Sequence, residues 1–290
     1  LNEVLLYINS YDILNDGIEA INFMNSFNNE VIITLIYSKP IDSSWEIEAK
    51  QLSNFLTIYL STYLTNNLTT NDITNYISDN KPVVNIIGRC KGIKLIVGNS
   101  FIIETLTINN RIIILRQPDD GFSNPNRYVN ERVLNWICNN VIESIPNCND
   151  FDLLELYCGN GNHTMALAGI VKRVIGVEIN ESLCESARFN IQLNNITNVS
   201  IISNDSSIFS RNILNTKSYI SKDNDKYDIK IILVDPPRAG LDVNTCKLVC
   251  YYDYIVYISC CIDSLVRDLT QVYTIYLSIY LSIYLCIYSI

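Results

Sequence analysis

In the second half of the chain, short continuous apolar runs alternate with segments of helical period, and that alternation predicts a parallel sheet with crossover helices. The runs at 152–157, 173–178, 199–202, 230–235 and 254–259 have strand length, and 181–193 is the clearest intervening helix. A further helix is predicted from 127 to about 140, with Val129, Val133, Leu134, Trp136 and Ile137 as apolar positions. The first half reads as strand-rich, with runs at 31–37, 83–87, 94–97 and 111–115. Between the first two, 44–56 places Trp45, Ile47, Ala49, Leu52 and Leu56 largely on one helical face, which Asp42 or Ser43 can cap. From 57 to about 80 the sequence turns to Asn, Thr, Tyr and Ile with almost no charge or period, predicting an insertion or mobile loop. Two prolines and a glycine in 117–126 predict a linker, and a nucleotide-binding unit begins after Pro146.

The opening of that unit carries chemistry. Residues 153–164 read Leu-Leu-Glu-Leu-Tyr-Cys-Gly-Asn-Gly-Asn-His-Thr, a strand, a tight turn and a helix start. Gly159 and Gly161 lack a Cβ, so they can take positive φ and bring backbone N–H groups close to a ligand. Thr164 stands where a dinucleotide fingerprint has its third glycine, which weakens an NAD reading. Glu178 ends the next strand and can accept from both hydroxyls of a ribose, so an adenosine-containing ligand is expected without naming it. Asp235-Pro-Pro-Arg238 follows the fourth strand at its carboxyl end, where open α/β sheets bind ligands, although the same residues also make a good turn. Cys260 ends the fifth strand and is a candidate nucleophile, helped by the Arg238 charge and a helix start near Asp263; Cys261 is its rival. His163 reads as a first-turn residue of a helix with no legible partner.

Length and charge narrow the partners. A chain of 290 residues can hold two ordinary domains with ample core. Lysine and arginine total 21 against 30 acids, a net charge of −9, so net charge supplies no long-range attraction to nucleic acid. A local basic patch must serve instead, and Arg89, Lys91 and Lys94 around Gly88 and Gly92 are the candidates, with a solvated strand end as the alternative. Ten scattered cysteines, no C-x-x-C pair and a single histidine predict reduced thiols, no metal site and no iron–sulfur cluster. A monomer is expected in an intracellular setting, cytoplasmic or organellar; Leu1 in place of Met leaves targeting open at this end.

Leu-Glu-Leu-Tyr-Cys-Gly-Asn-Gly-Asn, Gly-Val-Glu-Ile, Val-Asp-Pro-Pro-Arg-x-Gly-Leu-Asp and Tyr-Ile-Ser-Cys, in this order and spacing, resemble the RNA uracil-5-methyltransferases. The likeness is greatest to the bacterial-type tRNA enzymes that make 5-methyluridine in the T-loop. Phe122-Ser123-Asn124-Pro125-Asn126 resembles the family's Phe-x-Gln-Pro-Asn segment, and 83–94 its strand-turn-strand, so the resemblance covers most of 27–270. It implies an α/β fold: a class I, Rossmann-like, S-adenosylmethionine-dependent methyltransferase sheet over 117–270, behind an N-terminal α+β RNA-binding domain over 1–116. It also implies tRNA as partner and S-adenosylmethionine as cofactor, contacted by Tyr157, Gly159, Gly161, Asn162, Glu178 and Asp235. Asn124 stands where the family has a cofactor-contacting glutamine one methylene longer. Arg238, with Asp235, would hold the flipped uracil, and Cys260 would be the nucleophile that adds to uracil C6. An rRNA substrate, a base-amino methyltransferase and a tRNA-binding protein without turnover are the alternatives; Arg238 and Cys260 speak against the second.

The family's proton-removing glutamate lies in a His-Met-Glu-like stretch near its chain end, and here 271–290 is Gln-Val-Tyr-Thr followed by Ile-Tyr-Leu-Ser repeats. Three copies of ATCT encode that repeat, so a low-complexity tail of translated microsatellite is expected, with the closing strands of the sheet missing. An uncharged membrane span from 272 to 290 and an aggregation-prone β edge are the other readings, and no membrane partner is expected.

Overall fold

A computed structural model describes residues 1–67, 81–121, 124, 126–216, 219, 226–275 and 282–287. The chain divides into two units, Leu1–Thr105 with Arg116–Pro125, and Leu106–Leu115 with Asn126–Ile290.

In the first unit, helices α1 (Asn2–Asn9) and α2 (Asp12–Asn15) precede strands β1 (Ile18–Asn25) and β2 (Glu30–Tyr37). Helix α3 (Ser43–Asn67) then leads to β3 (Val83–Cys90) and β4 (Ile93–Val97). The sheet order is β1-β2-β3-β4, with only the β2–β3 pair parallel. A parallel pair needs a long crossover, and α3 lies on it. Its buried face is Trp45, Ala49, Leu52 and Leu56, packed in one core with Ile33, Leu35, Val84 and Ile86. Ile47, expected on that face, is 61% exposed, because two residues turn a helix by about 200° and point it away from Trp45. Trp45 Nε1 donates to Tyr37 Oη at 2.8 Å, and that hydroxyl donates to the Leu14 carbonyl at 2.8 Å.

Residues 57–67, expected in a loop, instead continue α3. The hydroxyls of Ser61, Thr62 and Thr65 donate to carbonyls one turn back, and Phe55, Tyr59 and Tyr63 stack at intervals of four. This turn of helix is satisfied without a buried apolar stripe, so period gave no sign of it. The rest of that expected loop, 68–80, lies outside the described residues.

Strands β5 (Phe101–Ile108) and β6 (Arg111–Pro118) form a hairpin whose two-residue turn, Asn109-Asn110, has both residues at positive φ (47° and 59°). The predicted linker therefore begins as strand, with Gln117 and Pro118 closing β6. β5 escaped prediction because Glu104 occupies an inward position, where it accepts from the Phe27 and Thr105 N–H groups. The hairpin's far end belongs to the second unit. Ile114 exchanges backbone bonds with the Asn194 amide at 2.8 and 2.7 Å, and Arg111 donates to the Ala166 carbonyl.

The second unit opens with α4 (Arg127–Ser144), which Asn126 caps through its side chain. Strands β7 (Asp152–Leu156), β8 (Arg173–Glu178), β9 (Val199–Ser203), β10 (Ile229–Val234), β11 (Tyr254–Ser259) and β12 (Ser282–Ile287) follow. Between them lie helices α5 (Asn162–Leu167), α6 (Glu181–Leu193), α7 (Ser206–Thr216), α8 (Val243–Val249) and α9 (Ile262–Ile275). The sheet runs β12-β11-β10-β7-β8-β9, parallel throughout, as the alternation predicted. Successive strand residues serve opposite faces. Leu153, Val174, Ile231 and Val256 pack with Leu134, Ile137 and Met165 on one side; Leu154, Ile175, Ile232 and Ile255 pack with Phe209, Leu248 and Leu265 on the other. From β7 the chain goes outward through β8 and β9, then crosses to β10 and continues in the opposite direction. The crevice at the carboxyl ends of β7 and β10 is thus the topological switch point, where such sheets bind ligands.

In the tail, Ser282–Ile287 forms an edge strand parallel to β11. Residues 272–275 end α9 and 282–287 are strand, and no helix among the described residues is long and apolar enough to cross a membrane.

Candidate active site

The turn after β7 departs from ordinary backbone. Tyr157, Gly159 and Gly161 have φ of 64°, 56° and 87°. For a tyrosine that conformation is strained, and its half-buried ring is held against the apolar cluster beneath the sheet. Burial, with the Thr245 hydrogen bond acting against it, pushes the Tyr157 phenol up to about 12. A Cβ built on Gly159 meets nothing within 4 Å, so the turn's backbone faces open space.

Glu178, at the end of β8, is 8% exposed and held from behind by two backbone amides. Gly159 N–H donates to Oε2 at 3.0 Å and Asn180 N–H to Oε1 at 2.8 Å. Each oxygen keeps a lone pair for a further donor, which suits vicinal hydroxyls. Asn162 forms a reciprocal amide pair with Asn130 of α4, both bonds 2.9 Å. Asn130 was not singled out in the sequence; its signal is a polar residue in register with the buried Leu134, Ile137 and Val141 of that helix.

His163 is corrected from a residue without a partner. It is buried, with Nδ1 3.7 Å from Glu155 Oε1 and 4.0 Å from Asp235 Oδ2. Burial opposes a proton on the imidazole, but the neighbouring Glu155 and Asp235 carboxylates outweigh it, and its pKa is raised. Glu155 itself is fully buried; Thr164 donates to Oε2, and Oε1 has no hydrogen-bond partner. Burial raises the Asp235 pKa, with the His163 charge pulling the other way and Glu155 adding to the rise.

Asp235 and Arg238 lie directly after β10, Arg238 exposed and Pro236 buried beside it. Cys260 lies directly after β11 and is half-buried. α9 begins at Ile262, next to the expected start, and Cys261 caps it: its carbonyl accepts from Leu265 N–H, Ser259 Oγ and Ser264 Oγ. The Ser264 backbone N–H, and then its hydroxyl, draw the Cys261 thiol below its ordinary pKa. Position along the strand favours Cys260 as the nucleophile, and Cys261 remains its rival. The residues after β11, β10, β7 and β8 emerge from neighbouring strands about 4.8 Å apart along one edge. Asn124 falls in the first unit, half-buried, and its neighbours Phe122, Ser123 and Pro125 lie outside the described residues.

The basic cluster of the first unit is largely spent on internal pairs. Asp119 takes Arg89 at 2.5 Å and Lys94 at 2.8 Å, beside a depression of about 600 Å³ also lined by Glu19 and Asp120. Lys91 alone of the three has no ion pair among the described residues, and the alternative of a solvated strand end gains. No group of three or more His, Cys, Asp or Glu side chains among the described residues could hold a metal ion.

A family model described as tRNA (Uracil-5-)-methyltransferase matches residues 66–279. The chain belongs to that family. A tRNA/tmRNA (uracil-C(5))-methyltransferase of Shewanella sediminis is 36% identical over 255 residues, covering 87% of this chain and 62% of that protein. One of Pseudoalteromonas translucida is 34% identical over 268 residues, covering 91% and 66%. The chain thus spans about two thirds of the length of these relatives. The crystal structure of Pyrococcus abyssi tRNA (uracil-54, C5)-methyltransferase in complex with S-adenosyl-L-homocysteine superposes with a TM-score of 0.57. It is 19% identical and covers 93% of this chain and 59% of that one, a likeness of fold.

Proposed function

We propose that this chain carries out S-adenosylmethionine-dependent methylation of uridine C5 in tRNA, through a covalent bond from Cys260 to uracil C6. The observation that carries the reading is the emergence of Glu178, Gly159, Asp235 and Cys260 from four adjacent strand ends at the switch point. The residues fit the cofactor on two counts. Glu178 is pinned with its free lone pairs available, and the turn at Gly159 faces open space beside it. Glu178 would accept from the ribose hydroxyls, while Tyr157, Gly161, Asn162 and Asp235 would line the remainder; Asn124 is proposed as a further contact from its motif alone. When bound, the cofactor supplies an electrophilic sulfonium methyl group.

Uracil C5 is a weak nucleophile. Addition of the Cys260 thiolate to C6 would move electron density to C5 and O4, so that C5 could take the methyl group as its bond to the sulfonium sulfur breaks and the electron pair stays on the departing thioether. Arg238, on the loop that follows the neighbouring strand β10, would orient the flipped base through its fork of donors, and the base must leave the stack at a cost of about a few kcal/mol. Loss of the C5 proton then lets the C6–sulfur bond break and returns the thiolate. Residues 269–290 contain no carboxylate to take that proton. A second reading is that the chain binds tRNA and stops at the adduct, before the step that needs a base.

The test incubates the chain with tRNA and methyl-labelled S-adenosylmethionine, beside Cys260→Ala and Cys261→Ala. A labelled protein–RNA adduct that withstands denaturation and disappears only with Cys260→Ala is expected, and 5-methyluridine release separates turnover from arrest. An adduct that persists in Cys260→Ala, or none in any form, overturns the assignment.

A further inference from the structure

The Asp-Pro-Pro-Arg loop and the Cys260 corner belong to different elements, and three side chains, Tyr257 of β11 with Arg267 and Asp268 of α9, join them. Asp268, on α9, is fully buried, and its carboxylate is reached from three directions. Leu241 N–H donates to Oδ2 at 2.7 Å and Tyr257 Oη, from β11, to the same oxygen at 2.6 Å. Arg267 donates to Oδ1 from Nε and Nη2 at 2.9 and 2.6 Å. Arg267 Nη2 also donates to the Ala239 carbonyl at 2.6 Å, one residue from Arg238. Gly240 lies between these bonds with φ of 78°, and a Cβ there would come within 2.4 Å of both Arg267 Nη2 and Asp268 Oδ2. The loop therefore rests directly on the two side chains. Burial first, and then the bond to Asp268, raise the Tyr257 phenol, which keeps its proton and remains a donor.

We infer that Arg267 and Asp268, with Tyr257, are positioning residues that lock the loop bearing Arg238 to the strand–helix corner bearing Cys260. The inference rests on the reading that Arg238 and Cys260 act on one base. Tyr257 lies on β11 three residues before Cys260, and Arg267 lies on the helix that Cys261 caps, so a shift of the clamp moves one reacting group relative to the other. Misplacement by about 1 Å can cost about a hundredfold in rate.

Arg267→Met is the decisive variant, because the side chain is 49% exposed and its removal leaves no cavity. Tyr257→Phe and Asp268→Asn are the second and third. Arg267→Met and Tyr257→Phe are expected to slow adduct formation about tenfold to a hundredfold. For Arg267→Met, affinity for S-adenosylmethionine should be unchanged, while Tm falls by several degrees because the buried Asp268 carboxylate loses its ion pair. A purely structural role would move Tm and cofactor affinity together. Amide exchange at 239–241 reads the clamp without chemistry, and Asp268→Asn should accelerate it at least about tenfold, since Leu241 N–H loses its charged acceptor. Wild-type adduct rates and unchanged exchange in the variants overturn the inference alone. No adduct in the wild-type chain overturns the underlying reading, and the positioning role with it.

Discussion

Nδ1 of His163 lies 4.0 Å from Oδ2 of Asp235, so the single histidine of the chain stands behind the carboxylate that follows β10. It stands equally beside Glu155, and a protonated imidazole there offsets two acids in a buried setting.

The pH dependence follows from that placement. Because the folded imidazole pKa is raised above 6.5, its contribution to stability is complete below that value and is lost as pH rises through the raised pKa. Asp235, also raised from 3.8, acts in the same sense in the acid range, where its proton is lost first. In His163→Gln, the decline of Tm from about pH 6 to 9 should flatten, because the titrating group is gone. Wild-type and variant curves that run parallel over this range would count against the pair.

Glu178→Gln should weaken S-adenosylmethionine binding about tenfold or more, a loss of roughly 1.5–3 kcal/mol for bonds to a charged group. Both carboxylate oxygens accept backbone N–H groups, so an amide must turn its NH₂ toward one of those donors. Calorimetric titration measures the affinity, and an unchanged value refutes the ribose role.

Asn130→Ala removes the partner that fixes the Asn162 amide. The expected cost is about 1 kcal/mol of stability, a fall in Tm of a few degrees, with a several-fold loss in cofactor affinity. Thermal melts and titration together check it; a melt that falls while affinity holds would leave Asn130 a packing residue only.

Trp45→Ala should destabilise the first unit by about 3–5 kcal/mol, since a buried indole and its bond to Tyr37 are both lost. Cofactor affinity should remain within about twofold of wild type, since all the proposed contacts except Asn124 lie in the second unit. Limited proteolysis with titration of the surviving material separates the two effects.

Much of the site was legible because its signals are local. A strand ending just before Tyr157, glycines at 159 and 161, a carboxylate at 178 and an acid-proline pair at 235 each depend on backbone conformation within a few residues. The helix at 181–193 was legible to the residue, since Asn180 caps it through its own side chain. Residues 57–67 and β5 were not, because hydroxyls bonded to the preceding turn and an inward Glu104 both break the apolar period on which prediction rests.

Sequence by itself determined the alternation of strands and helices, the turns that need glycine, and the identity of the groups at each strand end, since all of these follow from steric limits and burial over a few residues. Tertiary structure alone decided which of those ends are neighbours: the reversal of strand order at β7 sets residues about 80 positions apart side by side. It gave His163 two acidic partners, tied Asn130 to Asn162, and placed Asp268 under a loop 27 residues earlier. Contacts of this kind depend on how whole layers pack, and no periodicity along the chain encodes them.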